Sequence, residues 1–249
     1  LGIIDVSQII RSRVPEEARH TPYDIILIGK STDATGFGGA SFSSAVLDQD
    51  DDVTNLGAVQ VHDPFLKRVV VEALKHLFKI IDDEKVAVGF KDLGAGGISC
   101  AASELAAAAD MGVHIHLDQV NVAVDGLSPE VIACSETQER FCMAVPRAFS
   151  QTVLDVFNHT FELPQLYHQA GASIIGEVTQ EKRFVMSHHG DIVCHLDVNQ
   201  VTTDVLAVRT PISRTISRQA RRELPTFDYA QLATLGTDMI QALNNASKR

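Results

Sequence analysis

The sequence predicts an α/β (α+β) fold, a mixed β-sheet flanked by helices. Three observations predict it. Asp24 to Lys30 (DIILIGK) is a short β-branched apolar run, the pattern of a strand buried on both faces. A second apolar run, Val86 to Phe90, leads through a glycine-rich turn into an alanine-rich helix from about Ile98 to Asp110. The last strands, Arg183 to Ser187 and Ile192 to Leu196, are joined by His188-His189-Gly190-Asp191, a hairpin turn. Helices interleaved with strands and closing in a hairpin give a mixed rather than a purely parallel sheet.

The remaining elements follow in order. The first strand leads into a glycine-rich turn, Thr35 to Ala40, and later an acidic loop, Asp48 to Asp52. Val59 to Val61 reads as a short strand. Asp63 offers an N-cap and Pro64 suits the first helical position, because proline lacks an N–H that would go unpaired there anyway. The helix behind them is expected to bury Phe65, Val69, Ala73, Leu77 and Ile80, which recur at helical spacing. Val113 to Leu117 alternates like a strand. Ser128-Pro129-Glu130 starts a short helix, Phe141 to Val145 is a strand, Arg147 to Asn158 a helix and Ala172 to Val178 a strand. After about Val205 the chain turns Arg- and Thr-rich and ends in an amphipathic helix, Tyr229 to Asn244. The expected organisation is an extension over residues 1–20, a domain over 21–205, and a linker and helix over 206–249 leading towards another domain.

Composition narrows the function. The formal charge is −11 with acidic residues spread along the chain, whereas a nucleic-acid surface needs clustered Lys and Arg to displace counterions. The one basic cluster, Arg214, Arg218, Arg221 and Arg222, reads as a solvated linker face. No apolar run approaches a membrane span, and the start lacks both a basic leader and a Met, so a piece of a longer polypeptide is expected; four cysteines without paired spacing fit a reducing cytoplasm. The four cysteines show no C-x-x-C or zinc-finger spacing and read as free thiols. His114 and His116 face one side of a strand, but without a third ligand in the pattern no zinc site is expected.

Three segments can carry chemistry. Asp92 follows a strand and precedes Gly94, Gly96 and Gly97, which let a backbone approach a ligand, and a helix start that offers N–H groups to an anion. A carboxylate beside bound phosphate is a natural Mg²⁺ ligand; read plainly, the same segment is a tight turn with a capping Asp. Ser135-Glu136-Thr137-Gln138-Glu139-Arg140 offers a carboxylate and an amide to a polar ligand; the plain alternative is a solvated loop with a Glu139–Arg140 surface pair. Gln60, in Gln60-Val61-His62-Asp63-Pro64-Phe65, can hydrogen-bond a substrate, while Asp63 caps the helix.

Taken together, Gly38 to Phe42, Gln60 to Phe65, Lys91 to Gly97 and Ser135 to Arg140 resemble, in order and separation, one family: formylglycinamide ribonucleotide amidotransferase (phosphoribosylformylglycinamidine synthase), synthetase subunit, in its first AIR-synthase-C-type domain. The resemblance runs from about residue 20 to about 205. It implies an AIR synthase C-terminal-domain-like fold and an ATP- and Mg²⁺-dependent carbon–nitrogen ligase of purine biosynthesis. Its partners would be formylglycinamide ribonucleotide, a glutaminase subunit or domain, the remaining domains of the same enzyme, and a second copy of the chain. By position it implies that Gln60, Glu136, Thr137 and Gln138 bind substrate and that Asp92 binds Mg²⁺. Thr137 stands where the family usually has Ser, and His62 where it usually has Gly. Asp33-Ala34-Thr35 replaces a typical Gly-Arg-Asp, so no ligand contact is assigned there. The family's catalytic His and nucleotide-binding Lys have no counterpart, so this polypeptide alone is expected to be inactive. Two other readings stand beside this one: a sister enzyme on the same scaffold, and a non-catalytic assembly module. An exposed apolar patch is expected near the first 50 residues.

Overall fold

The computed structural model describes residues 10–39 and 60–202, with Gln241. The acidic loop, most of the terminal helix, the basic cluster and much of the region expected to expose an apolar patch lie outside the described residues. The chain divides into two units, Leu1–Val205 and Leu206–Arg249.

Among the described residues seven strands form one sheet: β1 (Tyr23–Gly29), β2 (Gly89–Asp92), β3 (Gly112–His116), β4 (Arg140–Pro146), β5 (Gly171–Thr179), β6 (Arg183–His188) and β7 (Asp191–Asp197). Their order is β2-β4-β1-β5-β3-β6-β7, and every pair is antiparallel except β3 with β6. The sheet is therefore mixed, as its sequence pattern predicts.

Helices cover both faces, which explains why β1 is apolar at successive positions. Ile25 and Leu27 pack with α2 (Gly97–Ala107) and α3 (Pro129–Cys134) on one side. Ile26 and Ile28 pack on the other with α1 (Pro64–Glu84), α4 (Ser150–Asp155) and the π turn that continues it, and α5 (Leu163–Leu166). A further short helix, α6 (Val198–Thr202), adds Val198 to the first cluster. Burying such side chains contributes about 25 cal/mol per Å² of apolar surface.

Two local expectations change. The Asp63 side chain caps α1 by accepting from Leu66 N at 2.9 Å. Ala73 and Leu77 of that helix are buried as expected, but Leu66, Val70 and Ile81, with Leu74, take the buried positions expected of Phe65, Val69 and Ile80, and Phe65 is 67% exposed. Both stripes are apolar at helical spacing, so only docking against the sheet chooses between them. The second strand also starts later and ends at Asp92, which pairs with Phe141. Gln60 and Val61 lie outside any strand.

All four cysteines are free. Burial pushes the Cys142 thiol up to about 12, and burial, reinforced by Glu104, takes Cys100 to about 11. Both are held as unreactive thiols.

Candidate functional site

Strand directions gather the loops. β1 and β2 both run antiparallel to β4, and β5 runs antiparallel to β1. The segments leaving β1 and β2 and those entering β4 and β5 therefore share one end of the sheet. The motifs lie in these segments, with the N-terminus of α1 beside them.

Three of the motifs meet at Glu136. Gln60 Nε2 donates to Glu136 Oε2 at 2.5 Å. Gly36, at φ +71°, leaves no room for a side chain: a Cβ there would lie 2.9 Å from Glu136 Cβ and 3.2 Å from Gln60 Cγ. Gln138 Nε2 donates to the Glu136 carbonyl at 2.9 Å, closing the strip on itself. The Asp92 turn adjoins from the other side. Leu93 N donates to Arg140 O at 3.2 Å, and a Cβ on Gly97 would fall 2.3 Å from Ser135 O. Asp92 itself is exposed, while its neighbour Lys91 is engaged with Glu104 at 2.6 Å.

Thr137 faces inward. It donates to Asp33 Oδ1 at 2.8 Å and accepts from Asp33 N at 3.1 Å. Asp33 also holds Lys30 Nζ at 2.9 Å and Thr35 N at 3.0 Å. Lys30 is only 6% exposed and lies over the Tyr167 ring. Asp33, to which sequence reasoning assigned no ligand contact, is thus the hub that fixes Thr137 and the glycine-rich turn.

The supposed Glu139–Arg140 surface pair is instead two buried residues with separate partners. Arg140 is among the largest fully buried side chains of the described residues. Its Nε donates to Thr137 O at 2.9 Å, one terminal nitrogen to Ser135 O at 2.6 Å and the other to Thr32 Oγ1 at 2.8 Å. Burial pushes its pKa down to about 10, against the opposing pull of Asp33, so it stays charged at neutral pH. Glu139 faces Lys67 Nζ at 3.0 Å and, at φ +64°, turns its carbonyl towards Lys30 N at 3.2 Å. No local signal marks either residue as buried, since each sits in a run of polar residues.

Burial raises the pKa of the Asp33 carboxyl, but hydrogen bonds from Thr35, Lys30 and Thr137 and the charge on Lys30 outweigh it and hold it below the ordinary range. A lowered folded-state pKa contributes stability that is fully present above the unfolded value and is lost as pH falls through the folded one. Asp33→Asn should therefore cost about 2 kcal/mol at neutral pH. The deficit should begin to shrink below about pH 4, where the carboxyl of the unfolded chain protonates, and be lost as pH falls through the lower folded value. Urea unfolding of both proteins at the two pH values checks this; a deficit that does not change with pH contradicts it.

Residues 23–189 match the family described as AIR synthase related protein, C-terminal domain, and the chain belongs to that family. Within it, the chain is 42% identical over 202 residues to the phosphoribosylformylglycinamidine synthase subunit PurL of Methanothrix thermoacetophila, covering 81% of this chain and 26% of that protein. It is 36% identical over 200 residues to the subunit of the same name from Rhodococcus jostii, covering 79% and 25%. Among solved structures, T. maritima PurL complexed with FGAR superposes with a TM-score of 0.69 at 25% identity, over 91% of this chain and 34% of that one. The chain thus spans about a quarter of the length of these curated relatives.

Proposed function

We propose that this domain is the substrate-side part of an ATP-dependent phosphoribosylformylglycinamidine synthase, a cytoplasmic enzyme of purine biosynthesis. The observation that carries the reading is the meeting of Gly36, Gln60 and the Glu136–Gln138 strip at one end of the sheet. Its likeness to PurL subunits, one of them solved with FGAR, names the ligand. Gln60 and Glu136 would exchange their mutual hydrogen bond for groups on formylglycinamide ribonucleotide. Gln138 would add its amide, and Thr137 would act through Asp33 by holding the strip in place.

In the reaction so assigned, ATP phosphorylates the amide oxygen and glutamine-derived ammonia displaces the phosphate, leaving an amidine. Asp92 fits Mg²⁺ in donor type, since Mg²⁺ binds one or two carboxylates and completes its shell with substrate phosphates and water. Among the described residues no metal-binding trio includes Asp92, so the ion would share most of its ligands with the nucleotide. Bound there, it would neutralise charge on the transferring phosphoryl group. Further domains and a glutaminase would supply the nucleotide-binding and ammonia-producing parts, and a second copy of the chain is a further partner of this reading.

Thermal unfolding with formylglycinamide ribonucleotide tests the assignment. A ligand at ~100 times its Kd stabilises the native state by about 2.7 kcal/mol, seen as a raised midpoint. Glu136→Ala should remove that shift. No shift at millimolar ligand would favour an assembly module instead. Given ATP, the nucleotide and ammonium, this polypeptide alone should form no amidine; product at rates near those of full-length relatives would overturn that part.

A further inference from the structure

The β3–β6–β7 half of the sheet carries a second group of side chains. The apolar cluster beneath α1 and α4 draws on no residue of β3, β6 or β7. On that face, His114 lies directly opposite Glu177 of β5, and His116 directly opposite Ser187 of β6. Ser187 Oγ is 3.1 Å from His114 Nε2 and 3.0 Å from His116 Nδ1, so the two imidazoles already point at one spot. One donor atom from each of His114, His116 and Glu177 lies within 4.8 Å of the others, and all three residues are half-buried.

We infer that His114, His116 and Glu177 bind a divalent transition metal ion, Zn²⁺ above all. Two imidazoles and a carboxylate form a known three-ligand zinc set, with a fourth position for water or, here, the Ser187 hydroxyl. Donors about 2.0–2.1 Å from a tetrahedral ion stand about 3.3 Å apart. The observed spread therefore closes by side-chain rotation on β3 and β5, two strands already locked in register. Glu177 Oε2 is engaged by Arg147 at 2.8 Å, and the same arginine holds Asp24. That contact orients the carboxylate, as partners outside the metal shell commonly do, and Oε1 becomes the metal donor. Sequence periodicity places the two histidines together but cannot show the glutamate, which comes from a strand 63 residues further along than His114.

Chelator-treated protein titrated with Co²⁺, followed by Zn²⁺ in competition, tests the site. The wild type should take up a single equivalent of Co²⁺ with the visible absorption of a low-coordinate nitrogen–oxygen site, and Zn²⁺ should bleach it. His116→Ala and Glu177→Gln should each weaken binding by at least about 10-fold. The doubly substituted His188→Ala, His189→Ala protein should bind as the wild type does, because those residues belong to a separate, more exposed group with Asp118. Two outcomes would overturn the inference: no such absorption in the wild type, a measurement independent of how any variant folds, or absorption lost with His188 and His189 but kept without His116.

Discussion

Arg140→Met is expected to unfold at much lower denaturant than the wild type, losing about 4 kcal/mol. The guanidinium satisfies two buried carbonyls, Ser135 O and Thr137 O, and the Thr32 hydroxyl. A thioether of similar length satisfies none of them. Each bare buried carbonyl costs about 1–3 kcal/mol, a large share of the roughly 5–15 kcal/mol that holds a typical domain together. Arg140→Lys keeps the charge but replaces a planar fork by a point donor, so it should recover only part of the loss. Because those carbonyls flank Glu136, the lysine variant should also show a smaller nucleotide-induced rise in midpoint while still folded. Urea titration and thermal unfolding with ligand read the two effects separately. A lysine variant with wild-type stability would mean that charge, not geometry, is what the loop needs.

Gly29→Ala should be comparably damaging, by about 3–5 kcal/mol, the range reached only by severe core or backbone conflicts. Gly29 has φ +119°, and a Cβ there would stand 2.0 Å from Glu139 O. That oxygen belongs to main chain immediately before β4, which is paired to β1 through Gly29↔Arg140. Relief would require β1 and β4 to part at the end that carries the site. Gly38→Ala is the control: its φ is also positive, at +74°, but a Cβ there would meet nothing within 4 Å among the described residues. It should cost only the conformational strain, about 1 kcal/mol. Equal costs at the two positions would show that backbone angle alone, not the close approach, sets the penalty.

Local chemistry makes most of the elements legible in the amino-acid sequence alone. β1 announces itself by apolar residues at nearly every position, and α1 by Asp63 and Pro64 at its start. The ordered motifs point to the family whose fold the chain adopts. These features depend on neighbours in the chain, on 2.0- and 3.6-residue periods and on end-capping groups, so the sequence contains them in full.

What the tertiary structure alone decided are relations between distant residues. The docked face of α1 is one, because two apolar stripes that share Ala73 and Leu77 competed and only the shape of the sheet separates them. The burial of Arg140 and the half-burial of Asp33 are another: polar residues in polar runs look solvated until partners arrive from 100 or so residues away, as Thr32 does for Arg140 across a separation of 108 and Thr137 for Asp33 across 104. The glutamate beside His114 and His116 is a third. Antiparallel pairing sets a strand against residues far along the chain, and a pattern read along one strand carries no record of which residues those are.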